Sequence, residues 1–252
     1  MRNLVILQAR MSSTRLPGKV LQEINGIPLI EFQINRIRQS RLENIIVATT
    51  TDASDNILVH YLDSIGIESW RGPLHDVAAR FHEVVKEFKP DSFLRLTADC
   101  PLVMPELLDE MVDSFEKQSI DYLCNTNPPS YPDGLDIEIV RTTAFLDLIQ
   151  HELTNSEREH VTLGLRSERR NYKRQNFRND KDLSSLRWTV DYPDDLDHLR
   201  KLMAFFRGRE ATFSFRDLLL LIGSHKDLAD TRENRLRNIA LSQESAEPGV
   251  QS

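Results

Sequence analysis

Leu4-Val5-Ile6-Leu7 runs directly into Gln8-Ala9-Arg10-Met11-Ser12-Ser13-Thr14-Arg15-Leu16-Pro17-Gly18-Lys19. The apolar run is rich in β-formers and bounded by polar residues, as a buried strand is. The segment after it is a loop that carries Arg10, Arg15 and Lys19 and no acid. Three cations, three hydroxyls and a flexible Gly18 at the carboxyl end of a strand suit a triphosphate, which takes charge-assisted bonds and backbone donors. The loop matches neither Gly-x-Gly-x-x-Gly nor Gly-x-x-x-x-Gly-Lys-Ser/Thr, so it is no Rossmann dinucleotide fingerprint and no Walker loop. Taken alone, it reads equally well as a polar loop with its cations in solvent.

Further along the chain, similar runs recur at Ile45 to Thr50, Ser92 to Leu96 and Asp121 to Cys124. Between them the apolar spacing turns helical, with Ile30, Ile34 and Ile37 on one face, then Val77, Phe81, Val84, Val85 and Phe88, then Leu107, Leu108, Met111, Val112 and Phe115. This alternation predicts an α/β fold, a Rossmann-like and mostly parallel sheet flanked by helices, with ligands bound beyond the carboxyl ends of the strands. Past residue 127 the turn signals Asn127-Pro128-Pro129 and Pro132-Asp133-Gly134 precede an alternating stretch, Leu135 to Ile139, read as part of an inserted β arm over about 127–165. Ser156 and Glu159 suggest a capping box. Leu186 to Asp191 looks strand-like, and a helix is expected from Asp194, with Asp194 and Asp195 as its cap and first turn. One domain over 1–240 and a disordered polar tail over 241–252 complete the expected organisation.

Composition narrows the function. A net charge of -7 argues against a nucleic-acid binder, which needs a broad cationic surface. No apolar run approaches the roughly 20 residues that span a bilayer, and the start lacks the order of a signal peptide, which predicts a cytoplasmic protein that meets no membrane. Cys100 and Cys124 cannot build a disulfide framework or a zinc site by spacing and are read as small core residues. Trp188 and Phe81 lie on apolar patterns and are assigned to the core.

The loop Ala9 to Lys19 resembles the amino-terminal signature of the cytidylyltransferase family that includes acylneuraminate and deoxy-manno-octulosonate cytidylyltransferases, and within it the spore coat polysaccharide biosynthesis protein F group. Further stretches agree in order: Arg71-Gly72 through Asp76-Val77 to Arg80-Phe81, Arg95 to Leu102, Tyr131 to Glu138, and Arg158 to Thr162 with Leu186 to Asp191. The likeness implies a nucleotidyltransferase that moves CMP from CTP to an acidic sugar, a sialic-like nonulosonate or related ulosonic acid, with release of pyrophosphate, for surface polysaccharide. Alternatives are a glycosyltransferase using a nucleotide sugar and a non-catalytic sugar-nucleotide-binding subunit.

Carried over residue by residue, the resemblance implies Arg10, Lys19 and Asp99 as catalytic residues and Asp99 and Asp191 as ligands of Mg²⁺. It implies a nucleotide site of Ala9, Arg10, Ser12, Ser13, Arg15, Gly18, Lys19, Arg80 and Thr97. Magnesium takes hard oxygen ligands, usually only one or two of them carboxylates. Without the likeness, Asp99 reads as a helix cap before Pro101, and Asp191 as a turn residue before Pro193. On the sugar side, Asp136 and Glu138 fall two apart in a strand-like stretch and so share a face, while Arg158 and His160 suit a sugar carboxylate. A solvated strand face and an ordinary helix start explain these four equally. The likeness also implies a homodimer. Ala98, Ala79 and Leu163 stand where relatives usually carry Gly, an acid and Pro.

Overall fold

In the computed structural model, residues 1–229 are described; the expected tail at 241–252 and the domain limit at 240 lie outside them. Strand β1 (Asn3–Gln8) is followed by the hairpin β2 (Glu23–Ile24) and β3 (Ile27–Pro28), then α1 (Leu29–Ile37). Strands and helices then alternate through β4 (Ile45–Thr50), α2 (Asn56–Ser64), β5 (Ser69–Gly72), α3 (Val77–Phe88), β6 (Ser92–Thr97) and α4 (Pro105–Glu116). The later chain forms β7 (Tyr122–Cys124), β8 (Glu138–Arg141), α5 (Thr142–Ile149), α6 (Asn155–Glu159), α7 (Leu163–Arg166), β9 (Arg174–Asn176), α8 (Pro193–Met203) and α9 (Phe215–Ser224).

The main sheet has the order β5-β4-β1-β6-β8-β7-β9. β1 pairs in parallel with β4 on one side and β6 on the other, and β8 alone runs antiparallel to both of its neighbours. This is the mostly parallel α/β architecture that the alternation predicts. Side chains of β1 alternate between two cores: Val5 and Leu7 pack with α1, α4 and α8, while Leu4 and Ile6 pack with α3 and α5. Burying each such side chain is worth about 1.5–3 kcal/mol, so a charge at any one of them would break the layer. The chain runs outward from β1 through β4 and β5 and returns to β6 on the far side of β1. Its strand order therefore reverses at the carboxyl ends of β1 and β6, where open α/β sheets leave a crevice for ligands.

Three local expectations change. Leu186 to Asp191 is extended but is no strand, because its neighbours are loops. Trp188 N donates to Asp133 O at 2.6 Å and Val190 N to Asp99 O at 2.8 Å, with one bridge between Asp133 and Arg187. The capping box falls two residues earlier, at Thr154 and Glu157, since Leu153 is buried immediately before it and fixes where the chain turns in. Within 127–165, strand pairing begins at Glu138 and inserts β8 between β6 and β7, so this part of the expected arm belongs to the main sheet. Ile139 and Val140 are apolar in succession and buried in opposite cores, which only an interior strand allows. Asp136 precedes the strand, so it and Glu138 do not share a strand face.

Candidate active site

The loop after β1 folds back on itself. Met11 O accepts from both Ser13 N at 3.0 Å and Gly18 N at 2.9 Å, while Met11 N donates to Asp55 Oδ1 at 2.7 Å. Asp55 is fully buried and is fixed in turn by the hydroxyls of Thr49 and Thr50 and by Thr50 N at 2.9 Å. Gly18 takes φ +71°, a left-handed conformation that costs glycine little, and caps the short turn Lys19–Leu21. This turn swings Lys19 inward.

The Lys19 ammonium lies 3.3 Å from Asp99 Oδ2 and 3.2 Å from Asp191 Oδ1, and it donates to Val190 O at 2.7 Å. Arg15 Nη2 meets Asp191 Oδ1 at 2.7 Å, and its guanidinium stands over the Tyr192 ring. On the inner side Arg187, itself buried, joins Asp133 at 2.7 Å, Asp191 at 3.1 Å and Asp195 at 3.4 Å. Burial opposes the Lys19 charge, but the facing Asp99 and Asp191 carboxylates outweigh it and raise the ammonium above its usual value. Burial likewise opposes ionisation of Asp99, yet Lys19 and the Thr97 hydroxyl, 2.6 Å away, hold its carboxyl below the usual carboxylate range. Burial and the Asp99 charge push the Cys100 thiol well up, so it stays protonated as a donor to Asp99 Oδ1 at 3.5 Å.

These groups surround a cavity of about 200 Å³ at the crevice. Of the expected nucleotide residues, Ala9, Arg10, Ser13, Arg15, Lys19 and Thr97 line it, and Asp99 and Asp191 join them. Three do not. Ser12 is exposed outside it, and Gly18 acts through its backbone. Arg80 is buried on α3 with Pro73 O as acceptor at 2.6 Å; burial and the charge of nearby Arg10 lower it to about 10. Thr14, one of the three loop hydroxyls, also lines the cavity, and so does Gln8, which the sequence did not mark as a site residue. Asp55, Arg187 and Asp195 support it, and only their nearness to the quoted motifs hinted at them.

The expected sugar residues separate. Glu138 is 3 % exposed and turns inward, contacting Arg95, Arg166, the Tyr122 hydroxyl and, at 2.6 Å, the Thr162 hydroxyl. Burial opposes its charge, but Arg166 and Arg95 hold it well below the usual carboxylate range. It braces the sheet and offers no face to a ligand. Asp136 stays partly exposed. Arg158 pairs with Asp76, the cap of α3, at 2.7 Å, and His160 closes α6; neither lines the cavity between Asp99 and Asp191. Two departures from the family pattern sit on ordinary backbone: Ala98 is buried with no positive φ, and Leu163 opens α7 with its N–H donating to His160 O at 3.2 Å.

Comparison with known proteins bears on family and fold. The family model described as Cytidylyltransferase matches residues 4–234. Spore coat polysaccharide biosynthesis protein SpsF of Bacillus subtilis is 33% identical over 242 residues, spanning 91% of this chain and 98% of that protein. A cytidylyltransferase structure from Leptospira borgpetersenii superposes with a TM-score of 0.87 at 30% identity, over 92% of this chain and 98% of that one. A CMP:2-keto-3-deoxy-manno-octonic acid synthetase solved with CTP shares the fold at a TM-score of 0.63 and 19% identity, over 81% and 99% of the two chains. With the cation loop and the paired aspartates meeting at the strand-order crevice, and the match running nearly end to end, the chain belongs to the cytidylyltransferase family.

Proposed function

We propose that this cytidylyltransferase joins CMP to an acidic sugar, a nonulosonate or related ulosonic acid, in a Mg²⁺-dependent reaction that releases pyrophosphate. The observation that carries the reading is the convergence of Lys19, Arg15, Asp99 and Asp191 on one cavity. The sugar hydroxyl attacks the α-phosphorus of CTP; the new O–P bond forms as the bond to the bridging oxygen of pyrophosphate breaks, and the hydroxyl proton leaves to solvent or a carboxylate. Arg10, Arg15 and Lys19 neutralise the phosphates, so catalysis is mainly positioning and electrostatics.

The donor set suits magnesium. Asp99 and Asp191 both reach the Lys19 nitrogen, so their oxygens converge on one point, and two carboxylates are what this ion usually takes from a protein. Among the described residues no group of three or more His, Cys, Asp or Glu is placed to hold a metal, so substrate oxygens and water would complete the shell. When bound, the ion supplies charge stabilisation at the phosphates. Asp136, Arg158 and His160 remain the proposed sugar contacts, with Arg158 the group of choice for a carboxylate. The name of the Bacillus subtilis relative supports a role in surface polysaccharide, the family likeness supports a homodimer, and the absence of a long apolar run in the sequence supports a cytoplasmic location. Among the described residues no helix is long and apolar enough to cross a membrane.

Pyrophosphate release measured over four nucleoside triphosphates and a panel of ulosonic acids with Mg²⁺ tests the proposal. The expected result is release with CTP and one or a few acidic sugars. Background release throughout would overturn it and favour a subunit that binds nucleotide without turning it over.

A further inference from the structure

Every carboxylate oxygen of the two aspartates already has a donor. Asp99 Oδ1 accepts from Thr97 at 2.6 Å and Oδ2 faces Lys19 at 3.3 Å; Asp191 Oδ1 is shared by Lys19 and Arg15, and Oδ2 accepts from Arg187 at 3.1 Å. With Val190 O as its third acceptor, Lys19 uses all three of its protons inside the site. The point on which both carboxylates converge is filled by the Lys19 ammonium, so a divalent cation cannot sit there until that group withdraws. Arg187 is tied to Asp133 and Asp195 and is 7 % exposed, so it is held in place. Lys19 and Arg15 belong to the loop and have a second anion to turn to when a triphosphate enters the same cavity.

We infer that in the nucleotide-free protein Lys19 stands in for the divalent cation, holding the two aspartates together, and that metal enters only as the nucleotide's phosphates draw Lys19 away. This rests on the proposed metal and nucleotide roles of the site and adds a binding order to them. Free metal finds the site closed; the nucleotide, by giving Lys19 a new partner, opens it. Because such coupling is reciprocal, metal must also tighten nucleotide binding. Of the two aspartates Arg15 touches only Asp191, whereas Lys19 touches both, so Lys19 is the group whose removal frees the space between them.

Mn²⁺ is the probe, followed as free ion by electron paramagnetic resonance and as bound ion by water-proton relaxation. Wild type should bind Mn²⁺ weakly alone and should form a relaxation-enhanced ternary complex with CTP, beyond a control of Mn²⁺ and CTP without protein. Lys19→Met should bind Mn²⁺ without nucleotide at least about tenfold more tightly than wild type, a step within the usual range of site–site coupling. Its melting temperature should rise with Mn²⁺ where that of wild type does not, since the ion takes the place of the missing ammonium between the two carboxylates. If Lys19→Met fails to fold, Lys19→Gln carries the same comparison. Equal Mn²⁺ affinity of wild type and variant without nucleotide, with the ternary complex intact, overturns the inference and leaves the metal reading standing. No bound Mn²⁺ in either protein, with or without CTP, overturns both.

Discussion

Replacing Glu138 by Gln separates a structural carboxylate from a substrate-binding one. The side chain keeps its shape and can still accept from Tyr122 and Thr162, but it loses the charge that compensates Arg95 and Arg166. Both arginine side chains are largely buried, at 13 and 19 % exposure, and Glu138's side chain is at 5 %. Breaking a buried ion pair by removing one partner costs about 3–5 kcal/mol, because a charge is left without compensation. At roughly 2–4 °C per kcal/mol for a domain of this size, the melting temperature should fall by on the order of 10 °C. The pH dependence gives an independent check. Glu138's folded pKa is depressed, so its contribution is fully present above the unfolded glutamate value of about 4.3 and is lost as pH falls through the folded value. Wild type should lose this stability under acid, and Glu138→Gln should lack that part of the decline. Thermal and urea melts from pH 3 to pH 7 read both effects. A variant within about 1 kcal/mol of wild type at pH 7, with a raised KM for the sugar, would refute the brace and return Glu138 to the substrate.

Asp99→Asn and Asp191→Asn should each reduce metal-dependent pyrophosphate release by about a hundredfold or more, the scale set by losing one transition-state charge contact. Circular dichroism should stay native, and retained turnover in either removes that residue from the role. Lys19→Ala should weaken CTP binding more than CMP binding, measured by calorimetry; equal losses would contradict contact with the outer phosphates. Gly134→Ala should cost several kcal/mol, on the order of the larger single-site effects, because φ is +106° and the added carbon would meet Thr189 N and Trp188 C at 2.6 Å. A denaturation midpoint unchanged from wild type would count against that packing, and a bound-metal signal lost before global unfolding would show the Trp188 to Asp191 segment moving first.

The alternating apolar runs made the centre of the sheet legible: β1, β4 and β6 bury both faces, and hydrophobic transfer dictates them locally. Edge strands escaped. β5 is Ser69–Gly72 and β9 is Arg174-Gln175-Asn176, polar segments that become strands because a neighbour offers backbone partners. The same gap in local information explains Leu186 to Asp191, where alternation reports burial of Trp188 and Val190 on one side but not the loops that receive their hydrogen bonds. In the site, Arg10, Arg15 and Lys19 are marked by residue type and by their place after β1, whereas Asp99 and Asp191 are singled out only by the family likeness. For Glu138, spacing gives a face but not what covers it, and the face it was expected to share with Asp136 is absent because the strand begins at Glu138 itself. Arg166, from a segment 28 residues away, supplies the cover.

Lys19 and Val190, 171 residues apart, share a hydrogen bond, and Asp99 O is held by Val190 N and by the Thr189 hydroxyl. During synthesis, the first hundred residues can build most of the parallel sheet and still have no second aspartate. A ribosome-bound chain halted before residue 187 would own the cation loop with its charges facing Asp99 alone. On the proposed roles of these residues, catalytic competence arrives late, with the segment that carries Arg187 to Asp191, and truncations from the carboxyl side should silence the protein well before they erase its helices and strands.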